Sequence, residues 1–512
     1  MKIKELHIPS FKNLQDFSIV IESEKTENVI LGKNATGKSN FFEALILIFK
    51  SLDLAKLSKP KELDIDFDYN IKYECNGNNI EIDKQGLVYE FKVGGNKLKN
   101  KEFFDNKKSL LPKNLFTYYS GVNKRVEGYF DDHQKKFYDQ LIKDGVEQPE
   151  RPFFFARLIH SLYVMLAFYS FEDKEINDFL KDKFDIIGIE SILFKVQSPE
   201  RSKGDKRNKY FWSSGGLVGK FLEQLYDISL APIKTSIKYK DNFRNQKEKN
   251  GVYLFVKDID KLKDLAKIYG GKKEFFSVLE STYISDLIYD IKIKVKKEKD
   301  GEIYFQELSE GEQQLLVVLG LLIFTGDEES LILLDEPDTH LNPRWKWDYI
   351  DIINKYINKP KGTQILMTTH DPLVIGGLDK DQILIFSKKD DKTIVNNPDF
   401  EVKGLGVAGI LTSELFELPT TLDRESEEKI IKFRILESKR INNKISSDEM
   451  QELKNIEKEI DLMGFNTESV DSLFKKFLSA VMSFEEFQKI DLSDEEIKRQ
   501  NQIAIDVINK LK

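Results

Sequence analysis

The sequence predicts an α/β fold with a mainly helical insertion and a helical C-terminal region. Strand-like and helix-like patterns alternate from residue 1 to about 125, and the alternation resumes near residue 290. Few strands are apparent between these two parts, and polar helical patterns replace the apolar strands beyond about residue 400. We therefore divide the chain of 512 residues into four predicted segments, 1–125, 126–290, 291–400 and 401–512.

The first segment has one helical pattern among several short strands. Apolar residues from Phe41 to Phe49 recur at helical spacing, which predicts a helix at 37–52. Alternating apolar and polar residues, separated by Gly and Asn turns, predict the strands. These strands are 3–8, 16–21, 27–31, 65–75, 79–83, 87–93 and 115–119.

The later segments are predicted from the same patterns. The predicted elements are, in order, helices 157–171 and 217–228, strands 290–295 and 302–306, helix 311–324, strands 331–334, 364–367 and 382–386, and helices 425–439 and 447–462. The last two helices are amphipathic, so each must bury its apolar stripe on the chain or on a partner. Residues 465–487 are more apolar still and are predicted to dock a partner protein.

Residues 198–250 form a polar stretch whose charge is opposite in sign to that of the chain. The stretch has twelve Lys and Arg residues against six Asp and Glu residues, whereas the whole chain has 79 against 87 and a net charge of −8. This balance excludes a protein that coats nucleic acid with an all-basic surface, but it leaves room for a local basic surface. Two interpretations stay open for the stretch, a solvated loop and helix face or a surface that binds nucleic-acid phosphates.

Composition and the N-terminal pattern exclude other classes of protein. Cys75 is the single cysteine, which excludes an internal disulfide, a thiolate metal cluster and a CxxC redox pair. Residues 1–8 alternate apolar and charged side chains, which predicts a strand rather than a signal peptide. The most apolar stretches, 158–171 and 315–324, are shorter than the roughly 20 residues of a membrane-spanning helix. We expect a cytoplasmic protein that does not enter a membrane.

The most specific motif is a phosphate loop of the form G-x-x-x-x-G-K-[ST] between a predicted strand and a predicted helix. Its glycines let backbone N–H groups turn toward a phosphate, and the helix N-terminus adds its positive dipole. Lys38 is predicted to reach the β- and γ-phosphates of a nucleotide, and Ser39 to give its hydroxyl to Mg²⁺. The predicted nucleotide-binding residues are Gly32, Lys33, Asn34, Ala35, Thr36, Gly37, Lys38, Ser39 and Asn40.

A second motif is an apolar strand that ends in two carboxylates. Residues 331–334 are all Leu or Ile, and Asp335 and Glu336 follow them directly. Asp335 is predicted to hold Mg²⁺ through water, and Glu336 to polarise the attacking water as a general base. The segment alone would fit a solvated acidic turn, but its combination with the phosphate loop favours the catalytic interpretation.

A third and a fourth motif follow along the chain. Ser309 and Gly311 open a predicted helix, where a hydroxyl and backbone N–H groups can face an anion or simply cap the helix. His370 follows the predicted strand 364–367, at a position where a lone histidine is ordinarily a polar cap. The order of all four motifs favours a functional interpretation of both.

Together these four motifs resemble those of ABC-type ATPases. The resemblance implies a P-loop ATPase head with an antiparallel β subdomain, and ATP and Mg²⁺ as its ligands. It also implies that His370 contacts the γ-phosphate, and that Ser309 and Gly311 contact the γ-phosphate held by the opposite subunit. Residues 338–340 take the place of the D-loop at the dimer interface, where His340 is either structural or interfacial.

The opening of the chain resembles the RecF, SMC and OLD branch of these ATPases. Residues 10–14 read Ser-Phe-Lys-Asn-Leu, and in that branch this turn lies near the nucleotide. The resemblance therefore makes Lys12 and Asn13 candidates for phosphate contact. The insertion between the phosphate loop and Ser309 is longer than in transporter ATPases and too short for the long coiled coil of true SMC proteins.

Within that branch the chain resembles the AAA-family ATPases of bacterial anti-phage and restriction-associated systems, and the Septu ATPase subunits in particular. Residues 32–54, 118–121 and 409–418 carry this resemblance, although 118–121 lies at the Q-loop position and contains no Gln. The resemblance implies an ATP-hydrolysing regulatory subunit that forms an ATP-sandwich homodimer or a higher oligomer. It also implies that this subunit controls a separate nuclease of the HNH type.

A nuclease site on this chain is not expected. Beyond residue 400 the sequence lacks the Glu and Asp-x-Asp arrangement of a Toprim domain, and no histidine follows His370. Two alternatives remain open, a RecF-like DNA-repair ATPase that clamps DNA and a nuclease with an unrecognised site. Nucleic acid remains a possible partner through the 198–250 stretch.

Overall fold

The computed structural model of the chain describes two compact units. The described residues are 1–55, 65–121, 124–141, 151–199, 211–212, 214–240, 246–325, 329–356, 362–418, 420–441, 444–462, 477, 480–482, 484–489 and 492–511. One unit comprises residues 1–410 with 414–416, and the other comprises 411–413 with 417–512. Within the described part of the chain, no helix has both the length and the apolar character that crossing a bilayer requires.

Strands dominate the first hundred residues, and helices dominate the C-terminal unit. The described strands are β1 (Lys2–Phe11), β2 (Leu14–Val20), β3 (Glu27–Gly32), β4 (Tyr69–Cys75), β5 (Asn78–Gln85), β6 (Val88–Val93), β7 (Asn96–Leu98), β8 (Asn114–Tyr119), β9 (Phe153–Ala156), β10 (Ile186–Gln197), β11 (Ile233–Lys240), β12 (Gln246–Val256), β13 (Ile288–Lys297), β14 (Gly301–Tyr304), β15 (Ser330–Asp335), β16 (Gln364–Thr368), β17 (Ile383–Lys389) and β18 (Lys392–Asn396). The described helices are α1 (Lys38–Leu54), α2 (Asn100–Asp105), α3 (Lys107–Leu110), α4 (Arg125–Gly128), α5 (Asp131–Leu141), α6 (His160–Tyr169), α7 (Lys174–Phe184), α8 (Gly216–Ile228), α9 (Ile259–Ile268), α10 (Lys272–Ile284), α11 (Glu310–Thr325), α12 (Pro343–Trp347), α13 (Tyr349–Tyr356), α14 (Pro372–Ile375), α15 (Gly406–Thr412), α16 (Arg424–Ile441), α17 (Ser447–Leu462) and α18 (Asp494–Leu511).

A seven-stranded sheet of order β18-β17-β3-β16-β15-β8-β9 forms the centre of the larger unit. Its neighbouring strands pair in parallel, except β18, which pairs antiparallel with β17 at one edge. Every residue of β15 is buried; Leu331 and Leu333 pack into one apolar cluster, while Ile332 and Leu334 pack into another. Because parallel strands end at one edge of the sheet, the residues after β3, β15 and β16 lie close together.

A six-stranded antiparallel sheet of order β2-β1-β4-β5-β6-β7 covers the helix α1. Alternate residues of β4 are buried, as the alternating pattern predicts, and Ile71 and Tyr73 join Phe41 and Phe49 of α1 in one apolar cluster. The predicted strand 65–75 was too long, because the regular strand begins at Tyr69. This sheet is the antiparallel β subdomain that the resemblance implied.

The insertion contains strands that the sequence patterns did not reveal. It holds the helices α5 to α10, but β9 joins the central sheet, and β10, β11 and β12 join a five-stranded antiparallel sheet of order β11-β12-β10-β13-β14. The sequence signal for these strands is weak. In β10 the apolar residues are interspersed with Gly188, Glu190 and Ser191, and β11 carries the exposed Lys234 and Lys238. The predicted strand 302–306 is also corrected, since it ends at Tyr304 and a 3₁₀ turn follows.

The C-terminal unit is built on α16 and α17. These two predicted helices bury their apolar stripes against each other, through Leu436 on α16 and Leu453, Ile456 and Ile460 on α17. Most of the predicted docking segment 465–487 lies outside the described residues. Its described apolar residues include Phe477 and Phe487, which pack in a small cluster with Val507 of α18.

Candidate nucleotide-binding site

The loop between β3 and α1 has a backbone that only glycine permits at two positions. Gly32 has φ +150° and Gly37 has φ +104°, in a region that L side chains rarely adopt. A Cβ atom on Gly32 would lie 2.3 Å from the carbonyl oxygen of Phe386, and one on Gly37 would lie 2.5 Å from Leu14 Cδ2. The loop is thus held close to β17 and to the β1–β2 turn.

The side chain of Lys38 folds back over this loop. Its ammonium donates to the carbonyl oxygens of Gly32 at 2.6 Å and Lys33 at 3.1 Å. Burial lowers the pKa of the Lys38 ammonium, and the negative charges of Glu336 and Asp335 oppose that lowering. A buried cation inside a loop at a helix N-terminus fits the phosphates of a nucleotide.

The β1–β2 turn braces the phosphate loop through Asn13. Its Nδ2 donates to the carbonyl oxygen of Ala35 at 2.8 Å, and its Oδ1 accepts from Asn40 Nδ2 at 2.5 Å. Ala35 has φ +64°, a costly conformation for a residue with a Cβ, so this external hydrogen bond helps to hold it. The neighbouring Lys12 turns away and pairs with the buried carboxylate of Glu43 on α1.

Removing the Asn13 brace is expected to weaken nucleotide binding. Asn13→Ala deletes the donor to Ala35 and the acceptor for Asn40, so the Kd for ATP should rise about three- to tenfold, the worth of one or two net hydrogen bonds. Titration with a fluorescent ATP analogue measures it. Gln15→Ala is the matched control, because its amide in the same turn donates to Lys12 O at 2.9 Å instead. Equal affinity of Asn13→Ala and wild type would contradict the brace.

A hydroxyl and a carboxylate from two neighbouring elements form the predicted magnesium site. The Ser39 hydroxyl is hydrogen-bonded to the buried carboxylate of Asp335, and the Thr368 hydroxyl donates to the same carboxylate. Burial raises the pKa of the Asp335 carboxyl, and the hydrogen bonds from Thr368 and Ser39 oppose this. These oxygen donors fit Mg²⁺, which takes oxygen ligands and keeps several waters.

Glu336 and His370 face each other at the ends of β15 and β16. The distance from His370 Nε2 to Glu336 Oε1 is 3.3 Å, and both side chains remain about 40% exposed. The hydrogen bond from His370 lowers the pKa of the Glu336 carboxyl, so this carboxylate is ionised and able to accept a proton. Glu336 has φ +52°, and its N–H donates to Thr368 Oγ1 at 3.0 Å. Such strained backbone is typical of functional positions.

The start of α11 forms a second group of predicted site residues. Ser309 is exposed, and it makes a capping box in which its N–H donates to Glu312 Oε2 at 2.7 Å and its Oγ accepts from Glu312 N at 3.2 Å. A Cβ on Gly311 would lie 2.4 Å from the carbonyl oxygen of His340. The structure thus brings Gly311 against the D-loop position, with Ser309 two residues earlier, while Lys38, Ser39, Asp335, Glu336 and His370 form one cluster.

The D-loop position is anchored to the end of β16. The Thr369 hydroxyl donates to the buried Asp338 carboxylate at 2.7 Å, and burial raises the pKa of Asp338 to about 6. His340 is exposed, and its Nδ1 lies 3.6 Å from the carboxylate of Glu310 at the start of α11. His340 is therefore placed at the surface beside the exposed Ser309.

With this geometry in place, the comparison with protein families is decisive. The model of the AAA_21 family, "AAA domain, putative AbiEii toxin, Type IV TA system", matches residues 28–376, more than half of the chain. The chain belongs to this AAA-domain family. The matched span begins in β3 and ends just beyond His370, so it includes every predicted site residue except the two candidates in the β1–β2 turn, Lys12 and Asn13. The prediction of an ATPase head with mixed α/β architecture is confirmed at this level.

Two curated relatives of this AAA-domain chain come from bacteria. The Septu protein PtuA of Bacillus mycoides (strain KBAB4) is 26% identical over 250 residues, which cover 45% of this chain and 33% of the relative. The Retron Vc95 probable ATPase of Vibrio cholerae serotype O1 biovar El Tor is 23% identical over 428 residues, which cover 76% of this chain and 74% of the relative. The chain therefore matches only about a third of the length of the first relative.

Solved SMC head domains are also similar to this AAA-domain chain. One is the crystal structure of the SmcHead bound to the C-winged helix domain of ScpA. It has 15% sequence identity and a TM-score of 0.35, and the match covers 78% of this chain and 98% of that chain.

The structure adds supporting residues that the sequence analysis did not assign in this AAA-domain site. Thr368 bonds both Asp335 and Glu336, although within its motif only His370 was given a role. Asn13 was a candidate for phosphate contact, but its side chain braces the loop backbone. At the Q-loop position, Ser120 N donates to Asp335 O at 3.2 Å.

Proposed function

We propose that the chain is the ATP-binding and ATP-hydrolysing regulatory subunit of a bacterial anti-phage defence complex. The observation that carries the proposal is the cluster of one ammonium, one hydroxyl, two carboxylates and one imidazole at the ends of β3, β15 and β16. An AAA-domain family match and relatives named Septu protein PtuA and Retron Vc95 probable ATPase support the biological setting.

In this proposal the cluster hydrolyses ATP to ADP and phosphate. Lys38 meets the β- and γ-phosphate oxygens in place of its loop carbonyls. Ser39 and Asp335 would hold Mg²⁺, which would neutralise phosphate charge. The oxygen of the attacking water bonds to the γ-phosphorus, and the bond between that phosphorus and the β–γ bridging oxygen breaks. Glu336 accepts the proton that the water loses. His370 holds the Glu336 carboxylate in place and contacts the γ-phosphate.

The proposal includes an ATP-sandwich homodimer, alone or within a higher oligomer. Ser309 is exposed at the start of α11, and its own contacts are to Glu312 of the same helix. A capped helix N-terminus with an exposed hydroxyl suits an anion presented from outside the subunit. His340 beside it would then lie at the dimer interface.

The proposed partner is a separate nuclease, of the HNH type, with nucleic acid as a possible further ligand. Of the cations in the 198–250 stretch, Arg201, Lys203, Lys206, Arg207, Lys209 and Arg244 lie outside the described residues. Lys249 is described, and its ammonium pairs with Asp286 at 3.0 Å. Co-purification of the chain from its native operon, followed by mass spectrometry, tests the partner. A nuclease in stoichiometric amount is expected, whereas metal-dependent cutting of DNA by the pure chain would contradict a separate nuclease.

The C-terminal region is proposed to dock that partner, and a truncation tests this. A chain ending at Gly464 keeps the cluster between α16 and α17, so it should bind ATP like the full chain yet lose the partner in a pull-down. In the full chain, Phe484→Asp should lower the affinity for the partner at least about tenfold, since the Phe484 side chain is 40% exposed and would contact the partner. Leu230→Asp places the same charge on an exposed residue of the insertion as a control. If only Leu230→Asp abolished binding of the partner, the docking surface would be assigned to the insertion and not to the C-terminal region.

A further inference from the structure

The side chain of Gln314 is fully buried where α11 meets the ends of β8 and β15. Its Nε2 donates to the carbonyl oxygen of Glu336 at 3.4 Å, and its Oε1 accepts from the N–H of His340 at 3.2 Å. The hydroxyl of Tyr118 is also hydrogen-bonded to it. One amide therefore contacts Glu336 directly after β15, the D-loop position at His340 and the Q-loop position at Tyr118.

The orientation of this amide is fixed by its two backbone partners. A carbonyl oxygen can only accept and an N–H can only donate, so each end of the amide fits one partner. A flip would place an NH₂ group against the N–H of His340 and an oxygen against the oxygen of Glu336. The amide of Gln314 thus fixes the distance between the carbonyl of Glu336 and the N–H of His340, at the two ends of the segment 336–340.

The backbone of Glu336 needs such support because it is strained. Its φ is +52°, and its N–H is held by Thr368 Oγ1 at 3.0 Å. On the other side, its carbonyl oxygen accepts from Thr339 Oγ1 at 2.8 Å and from Gln314 Nε2. Among the described contacts, only the one to Gln314 ties this carbonyl to α11. Ser309 caps the start of the same helix.

We propose that Gln314 is a positioning residue that couples the start of α11 to the carboxylate of Glu336. The inference rests on the proposed hydrolysis of ATP and deepens it. When Ser309 binds a phosphate, α11 takes up a defined position. The hydrogen bond from the Gln314 amide then fixes the backbone of Glu336 relative to that helix. A carboxylate that is misplaced by a fraction of an ångström accepts the proton of water less well, so Gln314 acts on the chemical step and not on nucleotide affinity.

The test is a double-mutant cycle with the full chain. Gln314→Met keeps the side-chain length and removes the three hydrogen bonds of the amide, so kcat should fall about tenfold while KM for ATP changes less than about twofold. In a Glu336→Gln background the same substitution should cause no further loss, because the carboxylate that it positions is already gone. Gln314→Glu is a second variant, which keeps the acceptor for His340 N–H but sets an oxygen against Glu336 O. It should lower kcat at least as much.

Gln382→Met is the matched control. Gln382 is also buried, and its amide also bridges two backbone groups, donating to Glu27 O at 3.1 Å and accepting from Asp379 N at 3.2 Å, away from the catalytic carboxylate. Its loss should lower the melting temperature and leave kcat within about twofold. If Gln314→Met lowered kcat equally in the wild-type and Glu336→Gln backgrounds, or left kcat of the wild type unchanged, the role of Gln314 would be overturned and the proposed function would stand. Unimpaired hydrolysis by Glu336→Gln would instead overturn the proposed function, and the coupling with it.

Discussion

Glu336→Gln is expected to lower the rate of ATP hydrolysis by about 10²- to 10⁴-fold, the usual contribution of a general base. The amide keeps the shape of the carboxylate and its place 3.3 Å from His370, but it cannot accept the proton of the attacking water. ATP should therefore bind with nearly unchanged affinity and stay trapped. Single-turnover hydrolysis and equilibrium binding of a labelled nucleotide separate the two effects.

Glu24→Gln is the control for this substitution. Glu24 lies in the same unit and is 77% exposed, and its carboxylate pairs with Lys2 and Lys4, so the amide should leave hydrolysis unchanged. If Glu336→Gln hydrolysed ATP at the wild-type rate, the assignment of the general base would be lost. A parallel loss of binding and hydrolysis would instead indicate that Glu336 holds the nucleotide.

Elements whose cause lies within a short stretch of sequence could be predicted. The phosphate loop has its glycines where the backbone must pass within contact distance of Phe386 and Leu14, and the strand and helix around it follow from local patterns. The strands β15 and β16 are buried throughout, so each gives an uninterrupted apolar run bounded by polar residues. Their ends carry the carboxylates and the histidine that the motifs identify.

The strands of the insertion could not be predicted because their cause is not local. In β10, the buried residues Phe194 and Val196 alternate with the partly exposed Lys195, but the pairing register with β13 shifts at three places along the strand, two of them between Ile186 and Ser191. The strand β9 is only four residues long, and all four are buried in the central sheet beside β8. Apolar runs of this length do not separate strand from helix in a sequence.

The supporting residues of the site were missed for a related reason. Thr368 and Asp335 lie 33 positions apart, and they meet because β16 is inserted between β3 and β15. Gln314 and His340 meet because α11 packs with its buried face toward the end of β15. Sheet order decides these contacts, and strand patterns alone do not contain it.

The proposed dimer predicts the other large effect, which is a recovery of activity when two inactive variants are mixed. Lys38→Ala removes the buried cation of the phosphate loop, and Ser309→Arg fills the exposed start of α11 with a large side chain, so each variant alone should be nearly inactive. In a heterodimer of the two, one composite site combines the intact Lys38 of one chain with the intact Ser309 of the other. A one-to-one mixture should then recover about a quarter of the wild-type rate, since half the dimers have one of two sites.

The pairing of Lys38→Ala with Glu336→Gln is the control for this recovery. Lys38 and Glu336 belong to one cluster within a single chain, because the negative charge of Glu336 opposes the lowering of the Lys38 pKa by burial. A heterodimer of these two variants therefore has no complete site, and its mixture should stay inactive. Recovery only in the pairing with Ser309→Arg supports a site shared between subunits. With heterodimers verified by differently tagged chains, an inactive mixture in both pairings would place Ser309 in the site of its own subunit or outside it.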